Sequence, residues 1–250
     1  MGVTAVVLAA GRGIRMGGVE HKSLMPLGDR KPLMHYILAG LDRIGIENLL
    51  VVTGFNPPSL QSYVNEHWSG EASFVRNARY ASWGNFHSLR MAIDQAPADD
   101  LLVVNCDVIV PPEAFQRVLD TSGDLVLAVE RRLGLDDEDM RVYLDKHVIK
   151  GIGKGLTRAR SHGEFCGVSL LRTIARRVYA DVATEIEWTG QTAIYYEDVY
   201  ARMLDFVEAR AAFISEGEYA EVDTPADTEH ATQVIARHEQ SWTAEHSVQS

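Results

Sequence analysis

Two cysteines in 250 residues, Cys106 and Cys166, leave no disulfide framework to build on. They lie far apart with no metal-ligand spacing, so they read as free thiols in the reducing cytosol. Cationic residues are also scarce. Twenty-four Lys and Arg against 35 Asp and Glu give a formal charge of -11, which argues against nucleic acid or an anionic membrane as the partner. A local basic pocket for a phosphate-bearing ligand remains compatible with that balance. No apolar stretch is long enough to span a bilayer. The opening "MGVTAVVLAAG" has no cationic segment before its apolar run, so it reads as a first core strand rather than a signal peptide. Gly2 is followed by Val6 where a myristoylation signal needs Ser or Thr. There is no internal repeat, no low-complexity linker and no C-terminal hexapeptide repeat.

What is present is an alternation of strands and helices. "VTAVVL" (3–8), "NLLVVTG" (48–54), "ASFVRN" (72–77), "DLLVVNCD" (100–107) and "DLVLAVE" (124–130) are strand-like runs. Helical patterns at 31–45, 57–68, 86–96 and about 111–121 separate them. This predicts an α/β fold, a Rossmann-like three-layer domain with a mostly parallel central sheet. After residue 130 the pattern changes. "RRLGLDDEDM" is charged and irregular, and "RVYLDKHVIKGIG" alternates around Asp145–Lys146, which predicts a β-hairpin in an insertion or lid over about 131–163. A strand at 164–171, helices near 172–181 and 196–209, a strand at 211–216 and a helix from about 225 complete one domain over 1–240. Residues 241–250 read as a frayed tail.

The stretch "LAAGRGIRM" (8–16) directly follows the first strand. A dinucleotide fingerprint needs a third glycine at the sixth position, where Met16 stands, and the second strand lacks the terminal acid that would grip a ribose. A Walker loop needs glycine before Lys22–Ser23, where His21 stands. The physical case for a nucleotide remains. After Leu8, the small Ala9, Ala10 and Gly11 allow a flat base to lie against the backbone. Gly11 and Gly13 let amides turn towards phosphate oxygens, and Arg12, Arg15 and Lys22 supply positive charge. Asp107 ends a buried strand, where α/β sheets place ligands, and can serve as a magnesium ligand or cap the next turn.

"LAAGRGIRM" together with "HKSL" resembles the signature of the nucleotidyltransferases, with His21 in place of the usual proline. "NARYASWGNFHSL" (77–89) narrows the resemblance to the phosphocholine and phosphonate cytidylyltransferases, the 2-aminoethylphosphonate type among them. Asn77, Tyr80, Asn85, Ser88 and Leu89 match, and Gly84 replaces an asparagine. Asn85 and Ser88 then become candidates for reading a pyrimidine edge, although Asn85 suits a helix cap equally well. "AEVDTPAD" resembles the family's closing Asp-Thr-Pro-x-Asp segment. The resemblance implies magnesium bridged by Asp107 and Asp223, with Asp227 serving the helix that follows, and Lys22 and Arg12 as catalytic charges. It also implies that Lys154, Glu164 and Asp198 face the acceptor. Trp188, Tyr195 and Tyr196 are a candidate aromatic wall for a quaternary amine, and Arg131 is a candidate acceptor contact through its charge, which suits an anionic headgroup. The reaction implied is transfer of CMP from CTP to a small phosphonate or phosphomonoester. Transfer to a sugar 1-phosphate, or a nucleotide-binding module without turnover, remains open, and so does a homodimer.

Overall fold

The computed structural model describes residues 2–13, 21–97, 99–132 and 134–243. In chain order the elements are β1 (Val3–Ala9), α1 (Leu33–Arg43), β2 (Asn48–Thr53), α2 (Pro57–His67), β3 (Glu71–Arg76), α3 (Phe86–Gln95), β4 (Asp100–Asn105) and β5 (Val108–Ile109). These are followed by α4 (Pro112–Asp120), β6 (Leu125–Glu130), β7 (Arg141–Asp145), β8 (Val148–Ile152), β9 (Gly163–Leu171) and α5 (Thr173–Thr189). The chain continues through α6 (Tyr196–Met203), β10 (Ala209–Ile214), β11 (Ala220–Glu221), α7 (Thr228–Arg237) and α8 (Glu239–Thr243).

Nine strands form one sheet in the order β3-β2-β1-β4-β9-β6-β10-β8-β7. The β/α alternation of the first half produces the expected parallel block β3-β2-β1-β4. The sheet as a whole is mixed. β9 arrives from the β7–β8 hairpin rather than through a helical crossover, so it runs antiparallel to both β4 and β6. β10 is parallel to β6, and β7 pairs back onto β9, so the second half of the sheet curls on itself. The hairpin turns at Lys146, which takes a left-handed conformation with φ of 58°.

The period-2 geometry of a strand sends alternate side chains to opposite faces. Ala5, Val7 and Ala9 of β1 point into the core formed with α1, α2 and α4. Val6, Leu8 and the following Ala10 point into the core formed with α3, α5 and α6. A third, smaller core joins Leu27, Leu33 and Tyr36 to Ile109, Ala220, Val222 and the α7 residues Ala231, Val234 and Ile235. It supports a feature that the sequence did not signal, the two-stranded antiparallel pair β5–β11.

Several boundaries differ from the sequence expectation. α5 runs on to Thr189 and stops where Gly190 adopts φ of 72°. α6 ends at Met203, because the chain must turn into β10 from Ala209. The expected frayed tail is helical through Thr243, and the Trp242 indole donates to Tyr36 O at 3.2 Å. Residues 244–250 lie outside the described residues. No helix among the described residues is long and apolar enough to cross a membrane.

Glu197 is buried in α6 among Tyr179, Tyr196 and Tyr200, and its Oε2 has no hydrogen-bond partner among the described residues. Burial is the main reason that its carboxyl is pushed up to about 8. Between the ordinary glutamate value and that figure the folded chain holds a proton that the unfolded chain releases. Stability from this group therefore falls as pH rises through the window. Glu197→Gln should flatten the decline in Tm between about pH 5 and pH 8. A decline as steep as that of the unmodified protein would contradict the assignment.

Candidate active site

The C-terminal ends of β1 and β4 open onto a cleft of about 550 Å³. One wall is the glycine turn, with Leu8, Ala10, Gly11, Arg12 and Gly13. The facing wall is the segment from Asn77 to Ser88. Asn105, Cys106, Asp107, Lys22 and Asp223 close the floor.

Lys22 sits at the centre of that floor. Its Nζ lies 3.0 Å from Asp107 Oδ2 and 2.5 Å from Asp223 Oδ1. Burial works against the ammonium charge, but Asp107 and Asp223 overcome it and raise the Lys22 pKa above its ordinary value. The two aspartates are far apart in the chain and meet through the β5–β11 pair. Glu221 pairs with Val108, and Val222 N donates to Asp107 O at 2.8 Å. Asp227 holds the following turn, its Oδ2 accepting from the backbone N of Asp223 and Thr224 and from the Thr224 hydroxyl.

Glu221 joins the two aspartates, and one carboxylate oxygen from each of the three residues lies within 4.8 Å of the others. Sequence reasoning missed it. The available signal was "EVD", two acids at the i, i+2 spacing that places both on one face of a strand. Crowding by the surrounding protein, then the charges of Asp107 and Asp223, push Glu221 up to about 8, although its outer surface is open to solvent. Asp107 Oδ1 is buried with no hydrogen-bond partner among the described residues. Three clustered carboxylate oxygens and an orphaned acceptor fit a small divalent cation with oxygen ligands. Cys106 also lines the cleft, but burial pushes its thiol up to about 12, which favours the protonated form at neutral pH.

The expected nucleotide residues divide. Leu8, Ala10, Gly11, Gly13 and Arg12 line the cleft, and the Arg12 guanidinium lies 5.4 Å from the centre of the Phe55 ring. Ala9 does not line it. Its side chain is on the opposite face of β1, and its carbonyl accepts from His21 Nε2 at 2.7 Å. Arg15 lies outside the described residues, as does Met16. Ser88 is at the cleft wall with its hydroxyl oxygen accepting from Asn77 Nδ2 at 2.9 Å. Asn85 is also at the wall, but its carbonyl oxygen is taken by the backbone N of Tyr196 at 2.9 Å, and it makes no side-chain cap on α3. It ties the cleft wall to the start of α6. Tyr196 adds a second tie, donating from its hydroxyl to Asn105 Oδ1 at 2.9 Å. Trp83, absent from the sequence-based candidates, completes the wall with Arg79 stacked 4.0 Å from its ring centre.

The expected acceptor residues divide as well. Lys154, Tyr195 and Asp198 line a second groove of about 450 Å³ with Met140, Gly153 and Leu156. Lys154 pairs with Glu138 at 3.0 Å, and its Nζ is 6.0 Å from the Tyr195 ring centre. Asp198 caps α6 by accepting from Tyr195 N at 2.8 Å. Arg141 is buried and ties the groove's edge together by donating to the carbonyls of Asp136, Lys154 and Leu156. Glu164 is not in the groove. It is buried and pairs with Arg132 at 2.6 Å, and burial holds it up at about 7 despite that arginine. Arg131 is also elsewhere, 3.8 Å from the Phe213 ring centre in a separate cavity with Arg132, Lys146 and His162. Trp188 forms no wall, being 87% exposed at the end of α5, and Tyr196 is buried.

The cleft at the strand ends and the mixed sheet define a Rossmann-like nucleotidyltransferase fold. A family model described as the MobA-like NTP transferase domain matches residues 5–135, just over half of the chain, and the chain belongs to that family. Among solved structures, the inositol-1-phosphate CTP transferase of T. maritima superposes with a TM-score of 0.79 at 22% identity, covering 93% of this chain and 96% of that one. The CTP:phosphocholine cytidylyltransferase LicC of Streptococcus pneumoniae gives 0.77 at 18% identity, covering 94% and 100%. In sequence, the bifunctional protein GlmU of Rhizorhabdus wittichii is 32% identical over 143 residues, which is 56% of this chain and 30% of that protein. The D-glycero-α-D-manno-heptose 1-phosphate guanylyltransferase of Aneurinibacillus thermoaerophilus is 23% identical over 156 residues, 60% of this chain and 67% of that protein. The chain thus spans under a third of the length of the GlmU protein it matches.

Gly84 packs so closely that a Cβ would lie 1.7 Å from the carbonyl oxygen of Ile194, and its N–H donates to Thr192 O at 2.7 Å. A side chain there must push the backbone of 192–194 away. Gly84→Ala should cost about 1–3 kcal/mol in unfolding free energy, read by urea denaturation. An unchanged midpoint would contradict the close approach.

Proposed function

We propose that this chain is a magnesium-dependent cytidylyltransferase that transfers CMP from CTP to a small phosphonate or phospho-alcohol and releases pyrophosphate. The observation that carries the reading is the meeting of Lys22, Asp107 and Asp223 on the floor of the cleft, opposite the glycine turn. In this reading the base lies against Ala10 and Gly11 and faces the Asn77–Ser88 wall. The triphosphate passes Arg12 and Gly13 towards Lys22.

Asp107 and Asp223, with Glu221 beside them, would hold the cation. When bound, magnesium neutralises phosphate charge, and oxygen-only donors suit it. The protein residues do the rest by alignment and charge. The acceptor oxygen forms a bond to the α-phosphorus as the bond to the β-phosphate bridging oxygen breaks, in line, and pyrophosphate carries away the leaving electron pair. Lys22 stabilises the charge that develops on the phosphate oxygens. The acceptor approaches from the second groove, its phosphonate or phosphate meeting Lys154 and its remaining group lying against Tyr195. Gly84 of the cleft touches Ile194, whose neighbours Ala193 and Tyr195 line that groove, so the two cavities share a wall.

CTP is favoured as the donor because two solved structures of the same fold, covered almost end to end, are named as CTP-dependent transferases. Transfer to a sugar 1-phosphate is the second reading, favoured by the match to a heptose 1-phosphate guanylyltransferase. A pyrophosphate-release screen separates them. Four nucleoside triphosphates are crossed with phosphocholine, 2-aminoethylphosphonate, hydroxyethylphosphonate, phosphonoformate, inositol 1-phosphate and a hexose 1-phosphate. The proposal expects release with CTP and a phosphonate or phospho-alcohol. Preference for another triphosphate with the hexose phosphate overturns it. Asp107→Ala and Asp223→Ala should each reduce turnover by at least about 100-fold with the fold intact by circular dichroism. Retained turnover would refute their role.

A further inference from the structure

His21 precedes Lys22 and is completely buried, yet it contributes no atom to the lining of the cleft. Its ring makes bonds in two directions. Nε2 is 2.7 Å from Ala9 O. A carbonyl can only accept, so Nε2 carries the proton and Nδ1 is the acceptor. Nδ1 then accepts from the Ser23 hydroxyl at 2.8 Å and from Ser23 N at 3.4 Å. Burial lowers the His21 pKa, which keeps the ring in this neutral form.

The two partners belong to different pieces of chain. Ala9 is the last residue of β1, and Ser23 is in the 3-10 turn, Lys22–Leu24, that carries the lysine. The ring therefore bolts the two ends of the glycine-rich loop together. A second point of closure lies beside it. Gly13 has φ of 62°, and a Cβ on it would sit 2.6 Å from Lys22 Cβ. The backbone of residue 22 is thus fixed against β1 on one side and against Gly13 on the other. This matters because a lysine side chain is long and freely rotating, while its ammonium has to stay within 2.5–3.0 Å of two carboxylates.

We propose that His21 is the positioning residue for Lys22: through its Nε2–H bond to Ala9 it sets the lysine turn against the end of β1 and so places the ammonium at the acid pair. The catalytic arm of this proposal rests on the function proposed above, and the geometric arm does not.

Three variants separate the two directions of the ring. The amide of His21→Gln can replace Nε2 and keep the bond to Ala9. His21→Asn keeps an acceptor where Nδ1 stood and so caps Ser23, but it is too short to reach Ala9. His21→Ala keeps neither. The geometric readout is NMR of isotope-labelled lysine ammonium groups, of which the chain has five, Lys22, Lys31, Lys146, Lys150 and Lys154. Among the described residues only the Lys22 ammonium is held between two carboxylates, so its protons should exchange slowly with water. The resonance should persist in His21→Gln and be lost in His21→Asn and His21→Ala. In pyrophosphate release, His21→Gln should keep a near-normal kcat. The other two should lose about 100-fold in kcat with little change in KM for CTP, as expected for misplacement of a group that acts in the transition state. His21→Asn matching His21→Gln in both readouts, or His21→Ala keeping the Lys22 resonance, overturns the proposal. If the unmodified protein releases no pyrophosphate with any substrate pair, the function fails, while the lysine spectra still decide whether His21 places Lys22.

Discussion

The bond from Val222 N to Asp107 O, and the short β5–β11 pair of which it is part, hold the site together. The pair is two residues per strand and would not survive alone in water. Its stability comes from the small core beneath it, where Ile109, Ala220 and Val222 pack against α1 and α7. Burying those side chains is worth about 1.5–3 kcal/mol for each of the larger ones, enough to fix a hairpin-sized element that lacks a hairpin's connection. Everything acidic on the cleft floor hangs from this element. Asp107 leads into β5, Glu221 ends β11, and Asp223 follows two residues later, with Asp227 tying down its turn.

The resulting charge arrangement is unbalanced by design of the backbone. Three carboxyl groups gather around one ammonium. Lys22 offsets part of the repulsion, and Glu221 relieves more of it by resisting ionisation up to about 8. A divalent cation would relieve the rest and expel that proton. This gives a physical reason for a positively charged ligand to be drawn to this acidic cluster. The neighbouring wall is organised differently. Gly84, Asn85 and Tyr196 use neutral close contacts to bind the cleft wall to the start of α6, where the second groove begins.

The parallel block and the glycine turn were legible because each rests on local pattern: apolar runs for β1, β2 and β4, and small residues after β1. Lys22 and Asp107 stand out locally, as a cation near the glycine turn and an acid at the end of a buried strand, but that Asp223 meets them was legible only through resemblance, since no local rule joins positions so distant. Ala9 was misjudged by treating "LAAG" as one surface, although strand alternation already puts Ala9 opposite Leu8 and Ala10. Glu164 is a candidate through resemblance and Arg131 through its charge, and neither reveals a side chain's partners. Glu164 is absorbed by Arg132, and Arg131 stacks on Phe213. β5 and β11 escaped because two-residue strands carry no periodicity. The antiparallel insertion of β9 escaped because pairing direction depends on where the preceding hairpin lies, which is a tertiary fact. Asn85 was weighed as a base reader or a cap for its own helix. It serves a helix more than a hundred residues later, and no local pattern encodes that.

The most direct test of the account is an anomalous difference map from crystals grown with CTP and manganese, which substitutes for magnesium at oxygen sites. One strong peak is expected between the carboxylates of Asp107 and Asp223, in contact with the nucleotide's phosphates and opposite the glycine turn. A bound nucleotide with its metal held elsewhere, or those two carboxylates facing apart with no shared ion, would contradict it.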